Sequence, residues 1–187
     1  MSGLGEQPLA SFLDDVAAAT PAPGGGSSAA LTLALGAGLV EMSALLAGEE
    51  EAATRAGSLR ARALELAQEE LSSYAPVLEA MRLPGDDPSR EARVTEALIH
   101  ASRTPLAIAE AAASAAELGA AVSKASSPSV RGDALTGVLL AQAACAAAAN
   151  LVEINLERHP AASELDQARE ARSRGTAARS EAHARNP

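Results

Sequence analysis

Two long stretches almost empty of charge constrain this chain most. Residues 27–48 carry Glu41 alone, and residues 134–152 carry no charged side chain. A helix that is apolar on every side must be surrounded, by other helices or by a partner. Both stretches are long enough to be mistaken for membrane spans. They are rich in alanine rather than leucine, however, and neither has a basic flank or an aromatic belt. We therefore expect them in the middle of a bundle or at a subunit interface, and we expect no membrane association. The chain has 187 residues, enough for one domain with a substantial core. Aromatic residues are 1% and tryptophan is absent, so that core must be built from Ala, Leu, Val and Ile. No run alternates with period two, and Ala, Leu, Glu and Arg all favour helix. The expected fold is all-α: one domain over residues 1–187, a mostly antiparallel bundle of five to seven helices.

Local signals divide the chain. Leu9, Phe12, Leu13 and Val16 recur on one face of a short helix over residues 9–20. A buried helix over 28–47 and a long amphipathic one over 49–82 follow. The stretch Leu83-Pro84-Gly85-Asp86-Asp87-Pro88 is a turn in which Asp87 caps and Pro88 takes the first helical position. Thr104-Pro105 repeats that signal, opening a helix to about 124. Asp133, after Gly132, opens the next and acts as its N-cap; Pro160 breaks it near 158. Ser163-Glu164-Leu165-Asp166 resembles a capping box. Residues 159–187 are otherwise polar and read as a solvated helix or a frayed tail with no chemistry.

Between the first two helices lies Pro21-Ala22-Pro23-Gly24-Gly25-Gly26-Ser27. The prolines fix φ and stop one helix. The glycines permit positive φ and strip away side chains that would keep a ligand at a distance. Ser27 is expected to cap the helix that follows. A glycine turn feeding a helix N-terminus offers free N–H groups to an anion such as a carboxylate or phosphate. A tight corner with no ligand is the plainer reading, and both stay open here.

Charge narrows the partners. Net charge is −9, and no Lys/Arg stripe interrupts it, so nucleic acid is not an expected partner. Cys145 has no intrachain partner and reads as a small buried hydrophobe. His100, His159 and His183 are isolated, and no Cys/His spacing suggests a metal. The N-terminus lacks a basic region followed by an apolar one, so the expected location is the cytoplasm.

Glu70 stands out among the acids. On a helix, Leu59, Ala63, Leu66, Tyr74, Val77 and Met81 all fall within about 40° of it, so it interrupts an apolar stripe. A carboxyl there is partly desolvated, its pKa is raised, and it can exchange a proton near neutral pH. An acid at the bundle edge paired with an arginine is the alternative. Glu41 and Glu153 also sit in apolar helices, where they either pair with arginines or line a site.

The stretch Ala22-Pro23-Gly24-Gly25-Gly26-Ser27 opening an Ala-rich helix resembles the cyclodeaminase/cyclohydrolase family of folate enzymes. Leu78-Glu79-Ala80-Met81-Arg82-Leu83-Pro84, Pro105-Leu106-Ala107-Ile108-Ala109-Glu110, Gly132-Asp133-Ala134 and Ile154-Asn155-Leu156 continue the resemblance, in order, across residues 9–157. The resemblance implies a homodimer and a folate substrate, with no separate cofactor. It also implies a proposed acid–base residue where Glu70 stands, four positions before Tyr74. The family has Asp there, so Glu70 is a departure that moves the carboxyl by roughly one bond length. Asp133 matches a family aspartate, which implies an assisting catalytic role. Asn155 matches a family asparagine; its plainer role is a buried amide bonded to a neighbouring helix. Pro23, Gly24, Gly25, Gly26, Ser27, Tyr74 and Asn155 are then candidate substrate contacts. For the anionic glutamate tail of a folate, Lys124 and Arg131 lead the basic candidates, with Arg82 and Arg103 behind them.

Three activities fit. One is hydrolysis of 5,10-methenyltetrahydrofolate to 10-formyltetrahydrofolate; a second is the cyclodeaminase reaction on formiminotetrahydrofolate. The third is a non-catalytic folate-binding or scaffold dimer. No formiminotransferase domain accompanies these residues, which favours the cyclohydrolase reading.

Overall fold

The computed structural model describes residues 4–159 and 161–184. After a 3-10 turn at Leu4–Glu6 come eight α-helices: α1 (Leu9–Ala17), α2 (Gly25–Ala47), α3 (Glu50–Ser73), α4 (Ala75–Met81), α5 (Arg90–Ala101), α6 (Arg103–Ala125), α7 (Pro128–Asn155) and α8 (Ser163–His183). No strand occurs among the described residues, so the fold is all-α. The five long helices form the bundle. That agrees with the expected bundle of five to seven helices, although the segment anticipated as one helix over 49–82 is two: α3 ends at Ser73 with Tyr74 as its cap, and α4 restarts with Pro76 in its first turn.

Close contacts fix the directions. Gly26 lies beside Glu70 and Gly57 beside Glu41, so α2 and α3 are antiparallel. Gly25 faces Leu151, and Gly36 faces Gly137 and Ala141, so α2 and α7 are antiparallel too. Gly119 of α6 meets both Val40 and Val138, which sets α6 parallel to α2. The bundle therefore has a corner end and a distal end. At the corner end lie the start of α2, the end of α3, the start of α6 and the end of α7. The α4–α5 hairpin connects α3 to α6 at this same end.

Small residues set the spacing. A Cβ on Gly36 would stand 2.9 Å from the Gly137 carbonyl oxygen, and one on Gly137 equally close to that of Gly36. The two central helices thus touch backbone to backbone. Around them the core is Leu33, Leu66, Ile108, Val138 and Val152 set among fully buried alanines. This is how a chain with almost no aromatics fills its interior: close helix approach replaces bulky side chains. Gly48, with φ 75, ends α2 in the left-handed conformation, and its N–H reaches back to Ala44 and Leu45.

By length and composition alone, Gly25–Ala47, Arg90–Ala125 and Pro128–Asn155 are apolar enough to cross a membrane. Here α2, α6 and α7, which make up most of them, pack against one another at the bundle centre. The outward faces of α2 and α7 remain apolar: Leu35 is 66% exposed, Leu46 65% and Ile154 67%, with Met42 and Leu139 between them.

Several local expectations are corrected. Residues 163–183 are not a solvated or frayed tail: α8 buries Leu165, Ala168, Ala171, Gly175, Ala178 and Ala182 against α6 and α7. Ion pairs Arg174–Glu117, Arg172–Glu153 and Lys124–Glu181 fasten its flanks. Asp133 opens no helix, because α7 starts five residues earlier at Pro128 behind Ser127. Ser102, not Thr104, precedes α6. Helix α5 starts at Arg90 rather than Pro88; Asp87 instead accepts bonds from the N–H and hydroxyl of Ser89.

Candidate active site at the glycine corner

The corner is built by one close approach. Helix α2 begins at Gly25, with Gly24 preceding it in extended conformation (φ −132, ψ −152) and no side chain capping the end. Among the described residues, Gly48 is the glycine with positive φ, so the corner glycines are not there for left-handed backbone. Gly26 has a different reason. A Cβ there would lie 2.1 Å from Glu70 Oε1 and 2.4 Å from its Cγ and Cδ. Only a residue without a side chain lets the Glu70 carboxyl lie across the first turn of α2. Ser27 is not a cap. It is buried in that turn and donates its hydroxyl to the Ala67 carbonyl at 3.2 Å, bolting α2 to α3. Ser28 does likewise to Gly24 at 2.9 Å. Pro23 is half-buried at the entry to the corner.

Glu70 is half-buried, and its Oε2 accepts a bond from Ser73 Oγ at 3.0 Å. Burial pushes its carboxyl above the ordinary glutamate value of 4.5, and the Ser73 hydroxyl pulls weakly the other way. No ion pair reaches it among the described residues. The other two acids in apolar helices are neutralised: Glu41 takes Arg60 at 2.7 Å and Glu153 takes Arg172 at 3.1 Å. Both arginines are partly exposed. Cys145 is buried as expected, with its thiol pushed up to about 11 by burial and donating to the Ala171 carbonyl. Among the described residues no cluster of three or more His, Cys, Asp or Glu can hold a metal ion.

One helical turn beyond this carboxyl a cleft of about 860 Å³ opens between the α4–α5 hairpin and the end of α7. Tyr74 forms one wall, four residues after Glu70. Asn155 forms the opposite wall, four residues after the Leu151 that touches Gly25. Val94 and Leu98 add apolar lining, and the exposed Ile154 lies at its edge. Arg90 lines it but is committed, its guanidinium donating to the carbonyls of Met81 and Leu83. Arg158 and His159 line it from the turn after α7.

Glu70 and Gly26 are brought together at the corner, with Gly25 against Leu151, while Tyr74 and Asn155 line the neighbouring cleft, which Glu70 and the glycines do not line. Asp133, Arg131 and Lys124 lie at neither place. Asp133 and Leu151 are eighteen residues apart on α7, which is about 27 Å of helix. Because α6 and α7 are antiparallel, Lys124 also lies at the distal end, paired with Glu181 of α8. Within one chain, none of the three reaches the corner. Arg82 and Arg103 do not line the cleft. Arg158 is not among the sequence candidates and His159 is set aside there as isolated; both lie in the turn that follows α7.

The sequence profile of the formiminotransferase-cyclodeaminase family matches residues 8–174, and the chain belongs to it. Among its relatives, methenyltetrahydrofolate cyclohydrolase of Methylorubrum extorquens is 29% identical over 166 residues, 81% of this chain and 80% of that one. Formimidoyltransferase-cyclodeaminase of Sus scrofa is 33% identical over 123 residues, which are 58% of this chain and 23% of the pig protein. The crystal structure of formiminotetrahydrofolate cyclodeaminase from Thermotoga maritima superposes with a TM-score of 0.86, covering 95% of this chain and 94% of that one at 19% identity.

Proposed function

We propose that the protein hydrolyses 5,10-methenyltetrahydrofolate to 10-formyltetrahydrofolate, with Glu70 moving the proton. The observation that carries this reading is a carboxyl raised by burial, lying across Gly26 without a cation. The substrate's one-carbon bridge is a cationic amidinium. An ionised Glu70 faces that positive charge favourably and accepts a proton as water adds to the bridge carbon. The adduct collapses with cleavage of the carbon–N5 bond, and Glu70 returns the proton to N5. The second proton of the water goes to solvent as the formyl oxygen forms. Tyr74 and Asn155 flank the bound ring system, and Gly24, Gly25 and Pro23 leave backbone within its reach. Similarity to the Methylorubrum cyclohydrolase along four-fifths of both chains favours hydrolysis over ammonia release.

The apolar outward faces of α2 and α7 support a homodimer through this pair of helices. Asp133, Lys124 and Arg131 have no catalytic or binding part within the chain that holds Glu70.

The test is loss of methenyltetrahydrofolate absorbance above the buffer rate. Wild type accelerates it, and Glu70→Gln lowers kcat by about 10²- to 10⁴-fold, the usual contribution of a positioned acid–base group. Equal rates for the two proteins sink the proposal. Ammonia release from formiminotetrahydrofolate, with no hydrolysis, moves the activity to the cyclodeaminase reaction.

A further inference from the structure

We propose that Ser73 is the positioning residue of the corner: it holds Glu70 Oε2, so that Oε1 is the oxygen that takes and returns the proton. This rests on the folate reading above. Ser73 is the last residue of α3. A serine in a helix commonly donates its hydroxyl to a backbone carbonyl three or four residues back. Ser73 Oγ does lie 3.1 Å from the Glu70 carbonyl oxygen, but it also lies 3.0 Å from Glu70 Oε2. Helical spacing alone does not produce the second contact. Ser72 stands in the same relation to Glu69, and its hydroxyl donates to the Glu69 carbonyl at 3.3 Å while the Glu69 carboxyl turns to Arg62.

The two oxygens of the Glu70 carboxyl are thereby made unequal. Oε2 is engaged by Ser73, and Oε1 lies against Gly26. Among the described residues Oε1 has no hydrogen-bond partner, and the buried unpaired side-chain atoms are Ser43 Oγ and Arg172 Nε, so Oε1 keeps contact with solvent. A serine hydroxyl carries one hydrogen and rotates to suit its acceptors. When Glu70 is ionised, that hydrogen points at Oε2, the stronger acceptor. Once Oε1 has taken a proton, Oε2 is an ordinary carbonyl oxygen, and the hydrogen turns to the backbone carbonyl without losing a partner. The bond is therefore strongest in the state that accepts a proton, and the carboxyl need not swing between states. The first turn of α2 brings no charge to this point. The other titratable groups at this end include Tyr74 on α3, Glu79 and His100 on the hairpin, Arg103 on α6 and Glu153 on α7. None of them bears on Glu70, whose two influences are burial and the Ser73 hydroxyl.

The experiment follows the Glu70 carboxyl by carbon-13 NMR in the whole protein, in wild type, Ser73→Ala and Ser73→Thr. Ser73→Ala removes a donor to the ionised form, so the midpoint moves up; Ser73→Thr keeps a hydroxyl and returns it toward wild type. The acid limb of kcat/KM for 5,10-methenyltetrahydrofolate moves to higher pH in Ser73→Ala, because the base must be ionised to act. Its plateau kcat falls about tenfold, the scale of one lost bond to a charged group. An unmoved midpoint in Ser73→Ala, equal shifts in the alanine and threonine variants, or a moved midpoint with an unmoved acid limb overturns the inference. A moved midpoint that threonine rescues, in a protein without turnover, removes the hydrolysis and leaves Ser73 its hold on Glu70. Turnover with a midpoint indifferent to Ser73 does the reverse.

Discussion

Helices α2 and α3 repeat one device at two places, and the two copies differ in a single partner. At the corner, Glu70 of α3 lies across Gly26 of α2; toward the distal end, Glu41 of α2 lies across Gly57 of α3. In both, a glycine makes room for a carboxyl between packed helices. Glu41 is neutralised by Arg60, whose Nε donates at 2.7 Å. Glu70 has only the Ser73 hydroxyl. An acid taken partly out of water is tolerable when paired; left unpaired it costs stability and gains proton affinity. The comparison separates a carboxyl that serves packing from one available for chemistry.

The largest effect that can break this contrast comes from Gly26→Ala. The new Cβ meets the far end of a flexible side chain, so Glu70 swings aside and the fold survives, since alanine favours a helix more than glycine does. Turnover should fall about 10²-fold, the usual result of displacing a catalytic group by an ångström or so. Gly57→Ala displaces Glu41 in the same way and should leave turnover within about twofold. Equal losses in the two variants would show that Glu70 has no special standing.

A smaller effect sharpens the contrast through stability. The folded state raises the Glu70 carboxyl above 4.5, so on raising the pH the unfolded chain gives up this proton first. The resulting cost grows as pH climbs from the ordinary glutamate range through the raised value, and it is complete above that value. Glu70→Gln should therefore melt higher than wild type at neutral pH, with the advantage vanishing below about pH 4 as both states become protonated. Glu41→Gln should show no gain; it loses a largely exposed ion pair and should change stability by at most about 1 kcal/mol. Thermal melts of both variants across pH 4–8 check the pair of outcomes.

Some of this was legible in the residues and some was not. Glu70 was visible because it breaks a stripe running from Leu59 to Met81, and helical spacing alone reveals such a break. The glycine run was visible as a corner; of the two reasons read from it, positive φ is not used there, while the missing side chain of Gly26 makes room for Glu70. The carboxyl that requires Gly26 lies 44 residues away in sequence, where no local rule reaches. A helix over α8 was one of the two readings, but its burial was missed because, Leu165 apart, its buried stripe is alanine and glycine among arginines and glutamates, so average polarity concealed a 3–4 spacing. Asp133, Lys124 and Arg131 were grouped with Glu70 on motif and charge. Their distance from it follows from helix direction, which the pairing of Gly36 with Gly137 and of Gly119 with Val138 fixes only in three dimensions. His159 read as isolated, and Arg158 was not singled out, for the same reason: the residues that share their cleft belong to the α4–α5 hairpin.

The most direct test of the account is titration of the Glu70 side-chain carboxyl by carbon-13 NMR, with its resonance assigned by its absence from the Glu70→Gln spectrum. A midpoint above the ordinary 4.5 is the result expected of a partly desolvated carboxyl without a cation. A midpoint at or below that value would mean that Glu70 is solvated or paired as Glu41 is, and would contradict the account.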